Sequence, residues 1–155
     1  MADMLLAGDL KLRPIPLAGQ TPTRSQPSDR PRRHAAGKEC PVLIVEDDAD
    51  LREMMAQLLT LEGFAAATAS NGREALAYLR TNAAPDVILL DLMMPVMDGW
   101  EFRREQQRDS EMAGVPVIIL SALDQPRAAD VPGDAFLKKP LDFDRLLELI
   151  RRYCH

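Results

Sequence analysis

The sequence predicts an α/β fold, an open, doubly wound parallel sheet of five strands with helices on both faces. Three observations carry this. Short apolar runs at 41–48 ("PVLIVEDD"), 86–91 ("DVILLD") and 115–122 ("VPVIILSA") lack polar alternation, as strands buried on both faces do. Segments with apolar residues at helical spacing separate the predicted strands, which implies βαβ units. The chain has 155 residues and no internal repeat, enough for one domain with a little left over.

Residues 1–39 read as a leader outside that domain. The stretch "RPIPLAGQTPTRSQPSDRPRRHAAGK" is rich in Pro, Ser, Arg and Gln and has little to bury, so it predicts disorder. Residues 1–38 carry seven Lys or Arg against three acids, about +4, whereas the remainder is about −9 within a total of −5. The folded domain is expected over 40–155.

The first strand, over 41–48, ends in three acids. Leu51, Met54, Met55, Leu58 and Leu61 then mark a helix over 50–64, with Asp50 as candidate N-cap and Gly63 as its stop. Residues 65–70 form a weak small-residue strand before the turn Asn71-Gly72. Ala75, Leu76 and Leu79 define a helix over 73–82. Residues 86–91 are the third strand, and 99–109 a helix capped by Asp98. The fourth strand lies within 115–122 and the fifth at 135–139. A last amphipathic helix covers 142–154, with Asp142 as its cap.

Composition excludes several roles. No apolar run approaches the ~20 residues needed to span a bilayer, and the start lacks the pattern of a signal peptide, so a cytoplasmic protein without membrane contact is expected. Cys40 and Cys154 flank the domain with no metal-ligand spacing and are expected to be reduced and incidental. No recognition-helix pair or basic stripe points to DNA, and no DNA binding is expected.

In an open parallel sheet, ligands sit beyond the carboxyl ends of the strands. Strand one ends in Glu46, Asp47 and Asp48, strand three in Asp91, strand four in Ser121 and strand five in Lys139. Carboxylates gathered at one edge repel each other, and burial raises the cost of ionising them. Mg²⁺ or Mn²⁺ relieves both, because such ions take one or two carboxylates with waters and phosphate oxygens. A lysine and a serine hydroxyl beside the ion suit a phosphoryl group. The set points to phosphoryl transfer onto a carboxylate.

"VLIVEDD", "VILLDLMMPVMDGWE", "VIILSA" and "FLKKP" together closely resemble the receiver domain of bacterial two-component response regulators, over roughly residues 41–153. The resemblance implies a flavodoxin-like sheet of order 2-1-3-4-5. It implies Asp91 as the phosphoacceptor, taking a phosphoryl group from a sensor histidine kinase or histidine phosphotransfer protein. Asp47 matches the direct metal ligand and Glu46 its water-mediated neighbour, although three consecutive acids leave that register open by one residue. The backbone carbonyl of Met93 completes the protein ligands, and Asp48 is the spare acid. Ser121 and Lys139 match the groups that hold the phosphoryl oxygens, and Ala122 leaves room for them. Phe136 takes the place of the aromatic switch residue, without a hydroxyl. A cis peptide is expected before Pro140, and Lys138 is expected to face away.

The segment between Ser121 and Lys139 is about one helical turn, ~4 residues, shorter than the receiver pattern. Pro126 and Pro132 confine the helix expected there to 126–131. Read as it stands, the chain is expected to be a stand-alone receiver that signals to an unknown downstream protein by contact. The resemblance implies no enzyme beyond assistance to its own phosphotransfer and dephosphorylation. A phosphorylation-independent adaptor is the alternative. An aspartyl-phosphate phosphatase of the haloacid dehalogenase type would need a second acid where Met93 stands.

Overall fold

The structure, a computed structural model, describes residues 40–123 and 133–154. The 1–39 leader and the helix expected at 126–131 lie outside the described residues. The elements are β1 (Pro41–Val45), α1 (Ala49–Leu61), β2 (Ala65–Ala69), α2 (Gly72–Thr81), β3 (Val87–Asp91), α3 (Gly99–Arg108), β4 (Val117–Ser121), β5 (Ala135–Lys138) and α4 (Phe143–Tyr153). The five strands are all parallel and lie in the order β2-β1-β3-β4-β5.

Strand periodicity explains why the three inner strands carry no polar alternation. Successive side chains point to opposite faces, and both faces are covered. Leu43, Val45, Ile88, Leu90, Val117 and Ile119 pack with Ala75, Leu76 and Leu79 of α2 and Phe102 of α3. Val42, Ile44, Val87, Leu89, Ile118 and Leu120 pack on the other face with Met55 and Leu59 of α1 and Leu146, Leu149 and Ile150 of α4. The register pairs Val45 with Leu90 and Asp91 with Leu120, so these strands end nearly level. Glu46, Asp91 and Ser121 therefore reach one edge together.

Three caps fall where the sequence places them. Asp98 accepts from Glu101 N while Glu101 reaches back to Asp98 N, a capping box. Asp142 accepts from Arg145 N at 3.2 Å. Gly63 lies just past α1 at φ +94, where a side chain would be strained. The cap of α1 is a correction: it is Asp48, not Asp50, and its Oδ1 accepts from Asp50 N at 3.0 Å and Leu51 N at 3.2 Å. Asp48 can cap because β1 stops at Val45, leaving only Glu46 and Asp47 between strand and cap.

The cysteines are a second correction. Cys40 and Cys154 are joined in a disulfide across 114 residues of sequence. Helix α4 packs on the same face of the sheet as α1, which brings its C-terminal end to the start of β1. Spacing along the chain carries no sign of that proximity.

Candidate functional site

The site is assembled from strand ends. Glu46 follows β1 and is buried, with Oε2 accepting from Asp48 N at 3.2 Å. Asp47 beside it is exposed. Arg52, which sequence reasoning missed, holds this turn from α1. Its Nη1 donates to the carbonyl of Glu46 at 2.8 Å and lies 3.5 Å from that of Asp47. Arg52 stands one helical turn beyond the Asp48 cap, and that spacing was the available signal.

Asp91 closes β3 and is only 4% exposed. Its Oδ1 lies 3.5 Å from Met93 N, a long contact. Gly99 allows the close approach of α3 behind it. A Cβ there would stand 2.7 Å from the Asp91 carbonyl oxygen and 2.8 Å from Leu92 Cα. Met93 itself is exposed beside the site.

The peptide bond between Lys139 and Pro140 is cis, as expected. Lys139 Nζ donates to Glu46 Oε1 at 2.8 Å and stands 3.4 Å from Asp91 Oδ1. Lys138, one residue earlier, is exposed. Ser121 is fully buried at the end of β4, where its Oγ accepts from Leu123 N at 3.0 Å. Its carbonyl accepts from Lys139 N at 2.9 Å, which ties the two strand ends together. Ala122 is exposed, and Phe136 lies half-buried against the α2–α3 side of the core.

Electrostatics follow from this packing. Burial, then the charge of Glu46, pushes the Asp91 carboxyl up to about 7, against the pull of the Lys139 ammonium and the Met93 N–H. Burial pulls the Lys139 ammonium down, but the bond to Glu46 and the charge of Asp91 outweigh it and hold it above its ordinary value. Oxygens from Glu46, Asp47 and Asp91 all lie within 4.8 Å of one another. Three hard oxygen donors, two of them buried and one open to solvent, suit Mg²⁺ or Mn²⁺ with several waters retained.

The model of the response regulator receiver domain matches residues 42–151. The chain belongs to that family. It is a receiver of two-component signalling, and no described helix is long and apolar enough to cross a membrane. Alkaline phosphatase synthesis transcriptional regulatory protein SphR of Synechococcus elongatus is 34% identical, over 76% of this chain and 49% of its own. The chemotaxis protein CheY4 of Vibrio cholerae superposes with a TM-score of 0.69 at 32% identity, covering 74% of this chain and 98% of that one. The receiver of the Pseudomonas aeruginosa histidine kinase PA1611, solved with magnesium in its active-site cleft, gives 0.68 at 25%, covering 74% and 97%.

This receiver spans about half the length of the curated relatives it matches. Several of them are named transcriptional regulators, and RpaA of Synechocystis is named as DNA-binding. The expectation of no DNA binding is therefore withdrawn. It rested on the absence of a recognition helix in a chain that corresponds to only part of those relatives.

Proposed function

We propose that this receiver takes a phosphoryl group onto Asp91 from a phosphohistidine of a histidine kinase or phosphotransfer protein. The observation that carries the reading is a buried carboxylate at the end of a central strand, 3.4 Å from the Lys139 ammonium and within 4.8 Å of two further acids. An Asp91 oxygen attacks phosphorus, the N–P bond breaks, and the imidazole leaves with its electron pair and is protonated. Asp91 then carries an acyl phosphate.

Glu46, Asp47, Asp91 and the Met93 carbonyl would hold Mg²⁺ or Mn²⁺, which supplies charge neutralisation for the acids and the phosphoryl oxygens. Lys139 supplies a second positive charge, and the Ser121 hydroxyl a hydrogen-bond donor once it turns from Leu123 N. Ala122 leaves the approach to Asp91 open. Phe136 answers the change by repacking alone, since it has no hydroxyl to exchange. Transcriptional control is the output we infer, by relation to the relatives. Nothing in the described residues favours the adaptor alternative, in which clustered buried charge would serve no purpose.

The test is intact-mass spectrometry after incubation with acetyl phosphate and Mg²⁺. A single phosphoryl adduct is expected on the wild type, and none on Asp91→Asn or in EDTA. An adduct on Asp91→Asn, or one formed without metal, would overturn the assignment.

A further inference from the structure

The chain has two cysteines, and the fold joins them. Cys40 stands immediately before β1 and Cys154 immediately after α4, with Cα atoms 5.5 Å apart. The bridge lies at the amino-terminal edge of the sheet. Glu46 lies six positions after Cys40, so the acid cluster is about 20 Å away along β1. The bridge is thus separate from the phosphoryl site.

Its position decides what it holds. The buried apolar anchors of α4 are Leu146, Leu147, Leu149 and Ile150, which stop one turn short of the bridge, and in that last turn Tyr153 packs only partly buried against the same core. Beyond them, Arg151 pairs with Glu62 at 3.1 Å and lies over the Phe64 ring, and the Tyr153 hydroxyl reaches the Asp134 carbonyl at 3.3 Å. The polar contacts are exposed, and exposed pairs hold weakly. Cys154 is the C-cap residue, in extended backbone. The covalent link is consequently the firm tether of the last turn of α4.

We infer that Cys40–Cys154 is a reversible redox modification site, exchanging with low-molecular-weight thiols and disulfides. It fixes or releases the last turn of α4 at the base of β1. The two sulfurs differ in access: Cys40 is 3% exposed, whereas Cys154 is partly open. An external thiolate attacks Cys154 Sγ, the S–S bond breaks, and Cys40 leaves as a thiolate and takes a proton. A second external thiolate attacks the outer sulfur of the mixed disulfide and releases Cys154. Two small thiols are oxidised to their disulfide and the protein pair is reduced to two thiols; oxidation runs the same steps in reverse.

The experiment equilibrates the full chain in glutathione buffers from fully reduced to fully oxidised, then counts thiols by alkylation and mass. Two thiols are expected at one extreme and none at the other, with the protein monomeric on a non-reducing gel. Oxidation should slow amide hydrogen exchange of residues 151–153 and raise Tm by roughly 10 °C, since the bridge closes a long loop. Cys154→Ser should match the reduced wild type in every buffer, and the reduced wild type gives the same comparison without any substitution. Two thiols in every buffer, a disulfide between two chains, or equal exchange and Tm in both forms would overturn the inference.

Discussion

At the scale of single residues, Asp91 is held where its charge is unfavourable, and that has a measurable sign. Its carboxyl titrates near 7 in the folded chain, against 3.8 ordinarily. Between those values the folded state binds the extra proton, so metal-free stability falls as pH rises from about 4 to about 7. Asp91→Asn should flatten that slope and raise Tm by several degrees at pH 8 in EDTA, with little change at pH 4. Thermal unfolding across pH checks this; an equal slope in the variant would exclude Asp91 as its source. Lys139 carries the opposite sign. Removing its ammonium leaves Glu46 and Asp91 buried and facing each other, and breaking such a pair costs about 3 kcal/mol. Lys139→Ala should show that loss in urea at pH 8 and a smaller one at pH 5, where Asp91 is protonated. Both residues were legible in the sequence, because a parallel sheet must deliver all its strand ends to one edge. Arg52 was not, since its partners are backbone carbonyls and its one signal, a place one helical turn past the Asp48 cap, was hidden while the cap was read as Asp50.

At the scale of elements, helix starts were the most legible feature, because capping chemistry is local. Asp98 and Asp142 cap as read, while the α1 cap shifted from Asp50 to Asp48 because three adjacent acids offer the same chemistry. What the pattern could not show is the shape of the β3–α3 loop. There Val96 takes φ +70 and is 67% exposed. A β-branched residue in the left-handed region is strained, and asparagine tolerates that region better. Val96→Asn should therefore stabilise the protein by about 1 kcal/mol. Urea denaturation measures this, and an unchanged midpoint would mean that the loop relaxes at no cost. The loop borders Asp91 and Met93, so the phosphoryl adduct should be measured on the same variant.

At the scale of the whole molecule, two-sided burial followed from the alternation of strands and helices, and the sheet order from the resemblance to receiver domains. The bridge between Cys40 and Cys154 did not, because contact across 114 residues is a property of the closed fold. The acid cluster is likewise a property of the whole, and its metal binding should appear in global stability. A ligand bound only by the folded state stabilises it by RT ln(1 + [L]/Kd), about 1.4 kcal/mol at tenfold excess over Kd. Mg²⁺ and the proton compete for Asp91, so the gain should be large at pH 8 and small at pH 5. Added Mg²⁺ should thus restore at pH 8 the stability that the ionised carboxylate removes, and the pH slope should be flatter with Mg²⁺ than in the metal-free protein. Asp91→Asn should lose most of the Mg²⁺ response, and Asp47→Asn should weaken it by shifting the midpoint to higher metal. Thermal unfolding over a Mg²⁺ titration at both pH values reads all of these at once. A Mg²⁺ gain equal at pH 5 and pH 8, or intact in Asp91→Asn, would place the ion away from Asp91 and separate the metal from the phosphoryl site.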